Sequence, residues 1–256
     1  MFIKYFIIFI NKLIGNNKYN TMSISSKYSK KRNENKFWNG VKTDKCLALD
    51  LDLTLVHTFT DLESLRDLNV YNNYKNYDLR KRIYTIELHD VVDDPGHGVY
   101  SRMWGVYRPG WERFRDFSEK YFANIFVWSA GQPRYVDAIV NILFPNPNFQ
   151  PSIVYTWDNC QNDSGDIYKP LNIMFSDIKS DISVSHENVL ALDDREDTFS
   201  HNPHNGILIP AYEPSPTEQS ILRNDNMLLK LENWFHKEEV SLSKDVRTLN
   251  KENIFI

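Results

Sequence analysis

The segment Leu49-Asp50-Leu51-Asp52-Leu53-Thr54-Leu55 sets two carboxyl groups and a hydroxyl two residues apart, with leucines between them. The leucines are free to point into a core while the polar groups face the other way. A carboxylate attacks phosphorus poorly in water, because two anions repel, and a metal ion offsets that repulsion. In this reading Asp50 is the nucleophile and carries the phosphoryl group as an aspartyl-phosphate. Asp52 protonates the leaving oxygen, then deprotonates the water that cleaves the acyl-phosphate; nearby negative charge is expected to raise its pKa for that task. Thr54 stands where the chain is expected to turn into a helix, so that its hydroxyl and neighbouring N–H groups hold phosphoryl oxygens. Taken alone, the Asp-x-Asp-x-Thr spacing also fits a turn or a helix cap.

Other segments supply matching groups. Ser129 follows the apolar run 125–128, and Asp193 and Asp194 follow the run 189–192, just as Asp50 follows Cys46-Leu47-Ala48-Leu49. Short continuous apolar runs are the mark of strands buried on both faces of a parallel sheet. Ligands of such sheets gather beyond the carboxyl ends of the strands, where all of these polar groups would lie. A hard cation takes oxygen ligands, and the Asp50 carboxylate, the Asp52 main-chain carbonyl and the Asp194 carboxylate form a set for Mg2+. Lys169, in Tyr168-Lys169-Pro170-Leu171, is placed to neutralise Asp50 and an incoming phosphate; the proline favours an extended approach. Taken singly, Ser129 reads equally as a helix cap and Lys169 as a surface lysine.

The elements that must position these groups alternate along the chain. Residues 61–82 are polar and read as a loop with a helical turn. The β-rich runs 83–91 and 99–107 flank turn chemistry at 93–98 and predict an antiparallel hairpin. Pro109 and Gly110 open a helix with Phe114, Phe117 and Tyr121 at helical spacing. A second helix after Ser129 carries Tyr135, Ile139, Ile142 and Leu143 on one side. Residues 153–155 and 207–209 complete the strands, and a helix over 216–237 covers the end. The expectation is an α/β fold with a Rossmann-like central parallel sheet, a β-hairpin flap and no large cap. The domain is expected over residues 37–240, between an extension at 1–36 and a C-terminal tail at 241–256.

At 256 residues and a net charge of -4, the chain has room for one sizeable domain and no charge bias toward nucleic acid. Cys46 and Cys160 make no disulfide framework, which fits a reducing compartment, and Cys46 reads as buried packing. Residues 2–14 are apolar, but Lys4, Asn11 and Lys12 interrupt them, far short of the ~20 residues that span a bilayer. They read as an extension rather than a secretory signal, with Met22 an alternative start, and membrane association is not expected. Lys30-Lys31-Arg32 fits a solvated run or a nuclear-entry patch, so the expected compartment is intracellular, nucleus or cytoplasm. Trp104, Trp111, Trp128 and Trp157 read as core or rim, and His57 as packing or lining. His186, His201 and His204 form no zinc pattern with either cysteine.

Taken in order, the motifs resemble those of the FCP/SCP-type phosphatases of the haloacid dehalogenase superfamily, which act on the RNA polymerase II C-terminal domain. Asp50-Leu51-Asp52-Leu53-Thr54-Leu55-Val56-His57 is similar to the first motif and Val127-Trp128-Ser129-Ala130 to the second. Tyr168-Lys169-Pro170-Leu171 resembles the third and Leu192-Asp193-Asp194-Arg195-Glu196-Asp197 the fourth, while Tyr107-Arg108-Pro109-Gly110 resembles the Arg-Pro-Gly element after the hairpin. The resemblance covers roughly residues 44–236. It implies Asp50 as nucleophile, Asp52 as acid/base, Thr54, Ser129 and Lys169 at the phosphate, Asp194 on Mg2+, and Asp193 and Arg108 in support. The implied partner is a phosphorylated protein or peptide, the polymerase tail among them, with no nucleic acid required. The stretch 157–166 is short and polar, leaving little for the insertion that small family members carry between the second and third motifs. Two other readings stay open: a small-molecule or nucleic-acid-end phosphatase, and a non-catalytic module like the mitochondrial import relatives.

Overall fold

The computed structural model describes residues 40–70, 76–89, 100–163, 166–178 and 183–256. The readings of the N-terminal extension, the domain start at 37 and the turn at 93–98 lie outside the described residues.

The chain begins with β1 (Cys46–Leu49) and β2 (Val56–Phe59), then the helical turns α1 (Glu63–Asp67) and α2 (Tyr77–Arg82). Next come β3 (Ile83–Leu88), β4 (Ser101–Tyr107), α3 (Trp111–Tyr121), β5 (Asn124–Trp128) and α4 (Pro133–Leu143). They are followed by β6 (Ile153–Tyr155), β7 (Gln161–Asp163), β8 (Asp166–Tyr168), α5 (Leu171–Phe175), β9 (Val189–Asp193) and β10 (Gly206–Leu208). Helices α6 (Glu218–Ile221), α7 (Met227–Phe235) and α8 (Glu238–Ser241) close the series.

Five strands form a parallel sheet in the order β10-β9-β1-β5-β6. β1 lies at its centre and every residue of it is buried, which is why its sequence is an unbroken apolar run. The two-residue period of the strands then divides the core. Leu47, Leu49, Ile125, Val127, Leu190 and Leu192 pack with Phe114, Val136, Ile139 and Leu231 of α3, α4 and α7. Cys46, Ala48, Phe126, Trp128 and Val189 pack with Leu171 and Met174 of α5 on the opposite face.

β3 and β4 pair antiparallel, as the hairpin reading expects, and β2 pairs with the other edge of β4 to make a three-stranded flap. The helix expected after Thr54 is absent, and β2 takes its place. Leu53 adopts the left-handed conformation (φ 57°), and the N–H groups of Leu55 and Val56 both bond to Leu51 O at 2.8 and 3.1 Å. That tight turn buries Leu55 and Val56 and points the chain into Val-His-Thr-Phe, whose branched and aromatic side chains suit a strand.

Two C-terminal readings are also corrected. The helix over 216–237 is broken between α6 and α7, because Asp225 caps Met227 N at 3.0 Å and pairs with the Arg108 guanidinium at 3.1 Å. Residues 241–256, read as a tail, place Val246 and Ile254 in the main core and bond Asn250 O to Trp234 Nε1 at 3.2 Å. The stretch after Trp157 is as short as expected and folds into the small hairpin β7–β8.

Candidate active site

The parallel register assembles the site. Leu49 pairs with Val127 on one side and Leu192 on the other. Asp50, Trp128 and Asp193 therefore emerge abreast at the carboxyl ends of their strands, with Ser129 and Asp194 one step beyond. Asp50 N bonds to Leu192 O at 3.0 Å, and Ser129 N to Tyr155 O at 3.0 Å, so each strand stays paired up to its polar residue.

Lys169 reaches this row from the end of β8. Its ammonium donates to Asp50 Oδ1 at 2.7 Å and Asp193 Oδ2 at 2.6 Å. The exposures of Asp50, Lys169 and Asp193 are only 8%, 7% and 3%, which excludes the surface-lysine reading. Burial works against the Lys169 charge, but the two carboxylates overcome it and hold its pKa above the usual lysine value. Burial raises the Asp50 carboxyl, against the pull of the same ammonium. Burial also raises Asp194, with Asp193 adding to the shift.

Thr54 is fully buried and donates from Oγ1 to Asp194 Oδ1 at 3.3 Å, tying the first motif to the fourth. Ser129 Oγ accepts the Gly131 N–H at 3.0 Å, which fixes the hydroxyl at the mouth of the turn into α4. Arg108 lies beneath the site, 1% exposed. Its guanidinium holds Thr54 O at 3.0 Å, Pro210 O at 2.7 Å and the Asp225 carboxylate, so it clamps the Asp50–Thr54 loop from behind.

Oxygens of Asp50, Asp193 and Asp194 lie within 4.8 Å of one another. Asp50 and Asp194 are the two carboxylates of the set read in the sequence, whose third ligand is the Asp52 main-chain carbonyl, and Asp193 joins them. The Asp52 carboxyl, which has no part in that set, turns toward Tyr135 of α4, whose hydroxyl donates to its Oδ1. Part of the Asp193 carboxylate is already engaged, by Lys169 and by Arg195 N at 2.9 Å. The group thus offers oxygen donors, half or more buried, with negative charge that Lys169 offsets only in part. Such a donor set fits a hard divalent cation, and Mg2+ meets that description.

Burial is the main reason the Asp52 pKa is raised, with Asp194 adding to it; the Tyr135 hydrogen bond and Lys169 oppose the shift. The negative charge expected to raise it is there in Asp194, but desolvation is the larger cause. Tyr135, Thr58 and Tyr84 escaped the sequence reading. Tyr135 carried one usable signal, a hydroxyl in the first turn after the Ser129 strand end, whereas Thr58 and Tyr84 meet only through the flap. Of the other candidates, Trp104, Trp111 and Trp128 are buried and Trp157 is exposed. His57 packs edge-on against Phe59 with its Nδ1 buried.

Residues 45–247 match the family described as NLI interacting factor-like phosphatase. The chain belongs to that family. Phosphatase PSR1 of Saccharomyces cerevisiae is 26% identical to this chain over 181 residues, which make up 71% of this chain and 35% of the yeast protein. The chain therefore spans about a third of that relative's length. The fission yeast RNA polymerase II C-terminal-domain phosphatase Fcp1, solved with beryllium fluoride, superposes with a TM-score of 0.52 at 24% identity, over 66% of this chain and 42% of that one. A second structure of Fcp1, described as an essential RNA polymerase II C-terminal-domain phosphatase, gives 0.54 at 21% identity, over 80% and 51%. These likenesses establish the fold, the haloacid dehalogenase type of α/β architecture built on a central parallel sheet. Among the described residues no helix is long and apolar enough to cross a membrane.

Proposed function

We propose that this phosphatase hydrolyses phosphomonoesters through an aspartyl-phosphate on Asp50, with phosphoserine in a protein or peptide as substrate. The observation that carries the reading is the bridge of Lys169 between Asp50 and Asp193 at the carboxyl end of the central strand. It holds the nucleophile in place and supplies positive charge where an anionic phosphate must approach. Asp50 Oδ attacks phosphorus as the ester P–O bond breaks, and Asp52 delivers a proton to the departing oxygen. Asp52 then takes a proton from water as the water oxygen bonds to phosphorus and Asp50 leaves. Thr54 and Ser129 bind phosphoryl oxygens, and Arg108 keeps the loop of Thr54 in register. Asp50, the Asp52 main-chain carbonyl and Asp194, supported by Asp193, would hold Mg2+. That ion, when bound, supplies charge neutralisation between nucleophile and phosphate.

The substrate class rests on family membership and on access. Among the described residues the site is flanked by the three-stranded flap and the short β7–β8 hairpin, with no separate cap domain. A site without an enclosing cap domain suits an extended peptide better than a small phosphate that needs enclosure. The polymerase tail, which the Fcp1 structures name as the target of that protein, is the first peptide to test.

The first test is p-nitrophenyl phosphate hydrolysis with Mg2+ by the parent and by Asp50→Asn. The variant is expected to lose activity at least ~10³-fold, and chelation of Mg2+ to silence the parent. Wild-type turnover by Asp50→Asn would end the nucleophile assignment. A screen of phosphoserine peptides against free nucleotides then decides the substrate, with preference for nucleotides reversing the choice made here.

A further inference from the structure

We propose that a hydroxyl relay from the flap, Tyr84 to Thr58 to Tyr135, sets the orientation of the Asp52 carboxyl, making Tyr135 and Thr58 positioning residues for proton transfer. The inference rests on the aspartyl-phosphate reading and adds to it the device that aims the acid/base group.

The geometry is continuous. Tyr135 OH donates to Asp52 Oδ1, and the same hydroxyl lies 2.6 Å from Thr58 Oγ1, which in turn lies 2.6 Å from Tyr84 OH. With the exchangeable proton on Oδ2, Oδ1 only accepts in either state of Asp52, so the Tyr135 proton points at it. Tyr135 then accepts from Thr58, and Thr58 from Tyr84, which aligns three protons in one direction. Chains of this kind polarise one another and hold the terminal acceptor more firmly than an isolated bond. With Oδ1 fixed, the plane of the Asp52 carboxyl is set, and Oδ2 remains to exchange a proton with the leaving oxygen and then with water.

The relay also has a space reserved for it. Gly105 of β4 is the cross-strand partner of both Thr58 on β2 and Tyr84 on β3. A Cβ at Gly105 would stand 2.3 Å from Tyr84 OH and 2.4 Å from Tyr84 Cζ. The Tyr84 ring therefore lies across the middle strand, over the one position without a side chain, to meet Thr58 on the far strand. Packing alone would be served by a larger residue at 105 and a shorter one at 84. The arrangement joins the flap sheet to the acid/base group through hydroxyls from three separate elements.

The test uses the full chain with Mg2+, the variants Tyr135→Phe, Thr58→Val and Thr58→Ser, and two substrates with different leaving groups. Nitrophenolate leaves without a proton, whereas the serine alkoxide of a phosphoserine peptide needs one. For Tyr135→Phe, kcat on the phosphoserine peptide is expected to fall ~10–100-fold with KM changed less than ~3-fold. On p-nitrophenyl phosphate the pre-steady-state burst should keep its rate while the steady rate falls, because only the second step then needs Asp52. Thr58→Val should show the same pattern at several-fold, and Thr58→Ser should restore parental kinetics. Should Tyr135→Phe fail to fold, the Val and Ser variants carry the decision. A burst and steady rate that fall together, a loss confined to KM, or an unchanged kcat on phosphoserine would each overturn the relay. Asp50→Asn separates the two levels: if it is inactive while Tyr135→Phe matches the parent, only the relay fails; if it is fully active, the aspartyl-phosphate reading fails first.

Discussion

Lys169 is the residue on which the charge of the site turns. Its removal in Lys169→Met would leave Asp50 and Asp193 facing each other in a buried setting, and breaking a pair of that kind costs about 3–5 kcal/mol. Urea denaturation is expected to show that loss, and Mg2+ to narrow the gap by supplying positive charge to the same carboxylates. A second residue-scale expectation concerns acid stability. The Arg195 guanidinium, together with the Ile167 N–H, holds Asp197 down to about 2, through bonds of 3.0 Å from Arg195 Nε and from Ile167 N. Because the folded pKa lies below the unfolded one, this contribution is present above pH ~4 and is lost as pH falls through ~2. Arg195 is half exposed, so solvent screening limits the pair to about 1 kcal/mol. Asp197→Asn is expected to be that much less stable at pH 7 and equal to the parent near pH 1, read by denaturant melts at both values. Much of the site was legible at this scale, because acids and hydroxyls directly after apolar runs announce strand ends. Asp52's partner was not, since a tyrosine on an apolar helix face reads as core until its hydroxyl is seen to reach a carboxyl.

Among the elements, the flap depends on one narrow passage. Gly105→Ala would set a methyl group against the Tyr84 hydroxyl and His57 O, the latter 2.5 Å away. Overpacking of this sort costs about 1–3 kcal/mol, and the variant is expected to melt earlier and to lose the Tyr84–Thr58 bond, visible as a changed tyrosine hydroxyl environment by NMR. β2 shows why part of the flap was hidden in the sequence. Periodicity reports a strand only when it is long enough to repeat, and Val56–Phe59 has four residues. Its formation depends on the left-handed Leu53, a conformation that leucine rarely adopts and that no composition rule forecasts. The central strands β9, β1 and β5, by contrast, carry their burial in their composition and were recognisable without partners.

Across the whole molecule, the main core runs from the central sheet to the final residues. Ile254 is 5% exposed, and Lys230 Nζ donates to Phe255 O at 3.0 Å. Ile254→Ala is therefore expected to lower stability by about 2–5 kcal/mol, as for other buried large-to-small changes, with activity of the folded fraction retained. Differential scanning calorimetry alongside Mg2+-dependent turnover would separate the two effects. Hydrophobic content gave no forecast of this docking, because residues 241–256 are mostly polar and contribute only a few apolar anchors at irregular spacing.

The bond from Thr54 to Asp194 joins residues 140 positions apart. On the ribosome, the loop carrying Asp50, Asp52 and Thr54 leaves the exit tunnel long before the strand that supplies Asp193 and Asp194, or the lysine that neutralises them. Until β9 arrives, β1 has only β5 beside it and leaves its other edge unpaired. Parallel pairings of such long range are slow to close. On the proposed reading, the nascent chain would carry its acidic loop in water, and phosphate binding is expected only once β9 docks.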